Sequence, residues 1–214
     1  MNTIITIGRE FGSGGREIGK TLADDYGIPY YDKELLSRAA KDSGICEEVF
    51  ESHDEKPTSS FLYSLVMESF SMNYMSSNYS EVPITQKIFL AQFDAIKKIA
   101  NEGPCVIIGR CADYALENHD NLLSVFIHAP MDERIKRVVR DFGFDEHKAK
   151  DTIIKTDKRR ASYYNYYSNK TWGKSSSYHL SIDSSTLGIN GSIDLIKSYV
   201  EIRENLIAKD NIIF

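Results

Sequence analysis

The sequence predicts an α/β fold, a parallel sheet covered by helices on both faces. Three observations carry that prediction. Short β-branched runs end on glycine or proline, segments of helical period lie between them, and a glycine-rich turn, REFGSGG, joins the first strand to the first helix. Alternation of this kind needs crossover connections, and these bury both faces of a sheet. At 214 residues the chain fits one domain with a sizeable core.

Thr3–Ile7 is β-branched and bounded by Gly8, so it reads as a buried strand. Ile18, Leu22 and Tyr26 then share one helical face, and Gly27 stops that helix. IPYYD (28–32) is a short strand ending in an acid, and Lys33–Lys41 is helical. Residues 45–83 are irregular and partly apolar, helical in pieces. Thr85–Asn101 carries a stripe of Ile88, Ala91 or Gln92, Ala95 and Ile99, closed by Glu102-Gly103-Pro104. CVIIG (105–109) and LLSVFIHA (122–129) are buried strands, the second broken by Pro130. Met131–Phe142 is an arginine-studded helix, YHLSID (178–183) the last strand, and Ser192–Arg203 opens a C-terminal helix.

Composition narrows the function classes. Hydrophobic residues make up 42% and charged residues 27%, as in ordinary globular proteins, and the formal charge is −5. That balance argues against a broadly basic nucleic-acid surface, but leaves room for a local arginine cluster around a small anion. The three cysteines are odd in number and lie in no metal-type spacing, so the expectation is a reduced, cytoplasmic setting. No leader-like pattern precedes the first strand, and no apolar run approaches the roughly 18 residues of a membrane helix, so no membrane partner is expected.

The glycine-rich stretch permits two registers. Gly14–Thr21 (GGREIGKT) matches the phosphate-loop pattern literally, but lies six residues beyond the strand and leaves little more than one helical turn before Gly27. Gly8–Gly15 fixes both faults: the strand ends at Gly8, and a helix of about three turns runs from Arg16 to Tyr26. Gly12, Gly14 and Gly15 then stand where the backbone approaches phosphate closely or turns to positive φ. In this register Gly15 replaces the usual loop lysine, and Glu17 the usual magnesium-binding hydroxyl. Arg16 or Arg9 is available to supply the missing charge. A tight strand-to-helix turn without any ligand is the bland alternative.

The chain resembles the cytidylate-kinase-like branch of the P-loop nucleoside monophosphate kinases. The resemblance rests on IGREFGSGGREIGK (7–20), YYDKELLSR (30–38), IIGRCADYAL (107–116), LLSVFIHAPMDERIKRV (122–138) and HLSIDSSTLGI (179–189), in matching order and spacing. It implies a P-loop three-layer sandwich with five parallel strands: a core of 1–44 and 84–214, an acceptor-binding insert near 45–83, and an arginine-bearing lid near 145–177. It implies ATP and magnesium as cofactors, with Gly8, Arg9, Gly12, Ser13, Gly14, Gly15, Arg16 and Glu17 around the nucleotide. Arg38 and Arg110 would grip the acceptor's phosphate, with Asp113 nearby. Arg16, Arg159, Arg160 and Asp32 would serve the transfer, and Glu17 and Asp32 the metal. The acid and aspartate that flank Gly-Arg in better-studied members are replaced by Ile108 and Cys111.

Several residues keep a structural alternative. Arg134, Arg137 and Arg140 have the spacing of a solvated helix face. Adjacent Arg159 and Arg160 point apart on a helix, so one of the two reaches the site. Asp32 is also placed to cap the helix that follows. Tyr163, Tyr164, Tyr166, Tyr167 and Trp172 either stack on a base or pack a lid or a subunit contact, which leaves a homo-oligomer open. The leading expectation is an ATP-dependent kinase of a (d)CMP-type acceptor. The rivals are a nucleotide-binding regulatory protein without transfer, and a kinase of another small molecule.

Overall fold

The computed structural model describes residues 1–53, 55 and 83–210. Five strands form one parallel sheet: β1 (Ile4–Arg9), β2 (Tyr30–Tyr31), β3 (Val106–Ile108), β4 (Leu122–His128) and β5 (Leu180–Asp183), in the order β2-β3-β1-β4-β5. The first strand is therefore central. Ile5 pairs with Val106 on one side and Leu123 on the other. The chain leaves β1 for β2 on one side and crosses from β3 to β4 on the other, so the carboxyl end of β1 opens into the crevice where such sheets bind ligands.

Side-chain alternation along β1 divides the core. Ile5 and Ile7 face α1 (Gly15–Tyr26) and α8 (Ser184–Asp210), packing with Ile18, Leu22, Ile193 and Ile196. Ile4 faces α2 (Glu34–Ser43), α3 (Glu47–His53) and α4 (Ile84–Glu102), packing with Leu35, Phe50, Ile96 and Ile99. Each such isoleucine is almost fully buried, and contributes about 1.5–3 kcal/mol. A single turn, α5 (Ala112–Ala115), and two longer helices, α6 (Met131–Phe142) and α7 (Glu146–Tyr167), complete the order.

The element boundaries depart from the sequence reading in instructive places. β1 continues past Gly8 to Arg9 because β4 is long enough to pair both, with Phe126 and Ile127. α1 starts one residue early, at Gly15. The C-terminal helix starts at Ser184 and kinks at Gly188 (φ 67, ψ −177), well before the expected Ser192. α7 is one 22-residue helix, opened by Asp145, whose side chain accepts from the His147 amide at 2.8 Å. The tyrosines pack this helix against the sheet: Tyr163, Tyr164 and Tyr167 are buried beside Phe126 and Tyr178, and Tyr167 stacks on Phe89 at 3.9 Å. Most of the expected insert, 45–83, lies outside the described residues. Among the described residues no helix is long and apolar enough to cross a membrane.

Candidate active site

Between Arg9 and Gly15 the chain turns back over its own amides. Gly12 and Gly14 take φ of 80 and 85, and a Cβ at Gly12 would lie 2.8 Å from Val138 Cγ2. Gly15 has ordinary φ but no space, since its Cβ would stand 2.6 Å from Arg9 Cβ. The loop carbonyls are pinned on the outside. Ser13 Oγ donates to the Glu10 carbonyl at 2.8 Å, Arg137 Nη1 to that of Gly12 at 2.8 Å, and Ser184 Oγ to that of Ser13 at 2.6 Å. The amides of Gly12, Gly14, Gly15, Arg16 and Glu17 donate to no atom of the described residues. Open amides at the N-terminus of a three-turn helix form an anion cradle. This is the register set by strand and helix length. Lys20 falls in the second turn of α1, 3.9 Å from Asp24.

The cradle opens into a cleft of about 540 Å³. Arg9, Arg16, Lys20, Arg137, Arg140 and Arg160 line it against Glu10, Glu17 and Asp141. A chain with net negative charge thus concentrates cations here. A second, much smaller cavity of about 20 Å³, room for about one water, adjoins it, bounded by Glu55, Gly109, Arg110, Asp113, Tyr164 and Tyr178. Arg9 and Arg160 belong to both walls.

Two carboxylates organise the arginines. Glu55 bridges Arg9 Nη1 at 2.8 Å and Arg160 Nε at 3.2 Å, while Arg160 Nη1 donates to the Arg9 carbonyl at 3.3 Å. Asp32 bridges Arg16 Nε at 2.5 Å and Arg110 Nη1 at 3.3 Å. Glu55, Asp32 and Arg110 are all buried. Burial pushes the Glu55 carboxyl up, but the guanidiniums of Arg9, Arg160 and Arg110 outweigh it and hold Glu55 well below the usual carboxylate range. Asp32 is lowered in the same way, with burial opposed by Arg110, Arg16 and Arg9. Burial and the neighbouring Arg9 push Arg160 down to about 10, with Glu55 and Asp157 in opposition, so it stays charged near neutrality.

Arg110 reaches this cluster through an unusual turn. Gly109, Arg110 and Cys111 are successively left-handed, with φ of 68, 54 and 54. Each non-glycine residue in that region costs about 1–2 kcal/mol. The turn folds the Arg110 guanidinium back to the Ile108 carbonyl at 3.3 Å and to Asp32.

The other candidates divide. Asp113 is buried and accepts from Tyr164 Oη at 2.6 Å; burial raises its carboxyl above the ordinary range, tempered by that hydrogen bond. Arg160 faces inward and Arg159 is exposed, as adjacent helical positions require. The structure does not bring Arg38 to Arg110: its Nη1 is bonded to Glu102 at 2.8 Å, at the far end of α4. Arg134 is no solvated-face residue. It is buried and ion-paired with Asp157 and with Glu10 at 3.4 Å. Asp157 also accepts from the Phe11 amide at 2.7 Å, so α6, α7 and the loop meet on one carboxylate. Sequence reasoning missed Glu55 and Asp157; Glu55 is 46 residues from Arg9 with no periodicity to betray it.

The site fits a nucleotide's phosphates better than a preassembled metal. Both Asp32 oxygens are engaged by guanidiniums, which leaves neither free for direct metal ligation. Among the described residues no group of three or more His, Cys, Asp or Glu could hold a metal ion. Magnesium commonly takes one or two carboxylates and completes its shell with phosphates and water, and Glu17 is a carboxylate on the cleft wall.

The comparisons with known proteins bear on the family and the fold. The profile of the cytidylate kinase-like family matches residues 4–186. A cytidylate kinase from Thermococcus kodakarensis is 27% identical over 200 residues, covering 92% of this chain and 88% of that protein. One from Pyrococcus horikoshii is 25% identical over the same shares. Among solved structures, an uncharacterized protein from Eubacterium ventriosum superposes with a TM-score of 0.70 at 33% identity, over 94% of this chain and 99% of that one. Shikimate kinase from Bacteroides thetaiotaomicron shares the fold alone, with a TM-score of 0.53 at 14% identity over 94% of this chain and 99% of that one. Five parallel strands, an open amide cradle at the end of β1 and a family profile spanning nearly all of the core lead to one conclusion: the chain belongs to the cytidylate kinase-like family.

Proposed function

We propose that this chain transfers a phosphoryl group from ATP to a small phosphate-bearing acceptor, with CMP or dCMP the first candidates. One observation carries the reading. Arg9, Arg16 and Arg160 line the cleft into which the open loop amides face, and phosphoryl transfer needs cations on the equatorial oxygens of the migrating group. The open loop amides and Arg16 hold the donor's phosphates. Arg110 receives the acceptor's phosphate, and Asp113 with Tyr164 orients the rest of the acceptor. Arg160, from the helix expected to serve as lid, steadies the charge that develops in transfer. Magnesium, when bound with the nucleotide, neutralises phosphate oxygens, and Glu17 is the residue to hold it. Free Cys46, Cys105 and Cys111 support a reduced, cytoplasmic setting.

The test is magnesium-dependent ADP release across a panel of nucleoside monophosphates, for wild type and Arg16→Ala. The Arg16 side chain is half exposed but pairs with buried Asp32, so thermal unfolding of the variant is measured alongside and ADP release is compared below its Tm. Turnover stimulated by CMP or dCMP, weakened by Arg16→Ala, is expected. Equal activity of the variant would move the loop-cation role to Arg9. A second reading, nucleotide binding without transfer, is favoured by Gly15 in the lysine position and by the engagement of both Asp32 oxygens. Tight ATP binding with no acceptor-stimulated ADP release would establish it. Turnover of a non-nucleotide acceptor would point to a different small-molecule kinase.

A further inference from the structure

We propose that Arg137, from α6, is the cation that stands in for the missing loop lysine and binds the donor's terminal phosphates. The inference rests on the kinase reading above and deepens it at the donor end.

The loop itself has no room for that cation. A Cβ at Gly15, the position a lysine would take, would stand 2.6 Å from Arg9 Cβ and 3.3 Å from Ile127 Cβ, neither of them the free end of a flexible chain. The charge therefore has to come from a neighbouring element, and α6 lies against the loop. Arg134 and Arg137, one turn apart, donate to the successive carbonyls of Phe11 and Gly12, at 3.5 and 2.8 Å. Arg137 also runs beside the next glycine, since a Cβ at Gly14 would be 3.4 Å from its Nη1. Its guanidinium thus lies along the loop, on the wall of the cleft into which the loop amides open.

Charge singles Arg137 out from the other cations of that wall. Arg9 and Arg160 share Glu55, Arg16 is held by Asp32, Lys20 by Asp24 and Arg140 by Asp141. Arg134, one turn earlier, is answered by Asp157 and Glu10. Among the described residues Arg137 makes no ion pair, although it lines the same cleft. The acids near enough to feel its charge, Glu133 and Asp141, are taken by Lys136 and Arg140. One N–H of the guanidinium goes to the Gly12 carbonyl, and the others are left for phosphate oxygens, which the planar fork matches in pairs. Arg16 adds hydrogen bonds to a donor, but its charge is already balanced by Asp32. A half-buried, unbalanced guanidinium beside open amides is compensated only when an anion arrives.

The experiment titrates ATP, with magnesium, into wild type, Arg137→Gln and Arg137→Lys by calorimetry. Both replacements can donate to the Gly12 carbonyl, but only lysine keeps the charge, so loop positioning and phosphate binding give different patterns. Arg137→Lys is expected to bind ATP within about threefold of wild type, and Arg137→Gln about 10- to 100-fold more weakly. ATP affinity unchanged in Arg137→Gln, or lowered equally in both variants, overturns the proposal. Should Arg137→Gln not fold, Arg137→Met, an uncharged arm of similar length, takes its place with the same expectation. Failure of wild type to bind ATP would remove the donor reading and this inference together. ATP binding without acceptor-stimulated ADP release would count against transfer alone, and the same affinities would still judge Arg137.

Discussion

Gly109→Ala adds one methyl where the fold has no room for it. The left-handed backbone, φ 68, costs a residue with a Cβ about 1–2 kcal/mol. The methyl would fall on Arg9 Nη1, and the flexible guanidinium is the part that gives way. Its displacement breaks the 2.8 Å pair with Glu55, a charge-assisted bond of about 1.5–3 kcal/mol. Together these come to about 2.5–5 kcal/mol, which for a chain of this size lowers Tm by roughly 5–20 °C. Differential scanning calorimetry measures the shift, and ADP titration shows whether the loop has been spared. Affinity for ADP should stay within a fewfold, because Gly109 lies at the end of β3 and not among the open amides. A Tm within 2 °C of wild type would refute the claim that Arg9, Glu55 and Gly109 form one packed unit.

Asp157→Asn keeps an acceptor for the Phe11 amide but leaves buried Arg134 only Glu10, so urea unfolding should show a loss of about 3 kcal/mol. Arg160→Ala should lower kcat for acceptor-stimulated ADP release about 10³-fold, since it removes the inward-facing lid guanidinium, while Arg159→Ala stays near wild type. Asp113 carries a folded pKa raised above its ordinary value, so its contribution to stability is complete below about pH 4 and is lost as pH rises through the folded value. Asp113→Asn should remove that loss and be the more stable protein at pH 8, as read from urea midpoints. Asp32 has the opposite sign: its pKa is lowered, so its contribution is present above about pH 4 and disappears as pH falls through the folded value. The stability gap between wild type and Asp32→Asn should therefore narrow in acid.

Sequence made the loop legible because two independent lengths agreed. A strand closing near Gly8 and a helix stopped by Gly27 leave one register for the turn, and Gly12 and Gly14 then need positive φ. The strands were legible as apolar runs, since both sheet faces are buried. Arg160 over Arg159 was left open, and only packing of α7 decides which side faces in. Arg134 was hidden by its i, i+3, i+6 spacing with Arg137 and Arg140, a pattern that solvated helices share; Asp157, across α7, draws it inside. Arg38 could be assigned to α2, but not to the end of α4 that it would meet. Glu55 left no local trace, because its partners come from β1 and α7.

The most direct measurement is the affinity of a bisubstrate analogue in which five phosphates join adenosine to cytidine. If donor and acceptor phosphates meet at Arg9 and Arg160, it should bind at least a hundredfold more tightly than ATP or CMP alone, since one molecule fills both sites. An affinity no better than that of ATP would mean that the two sites do not join.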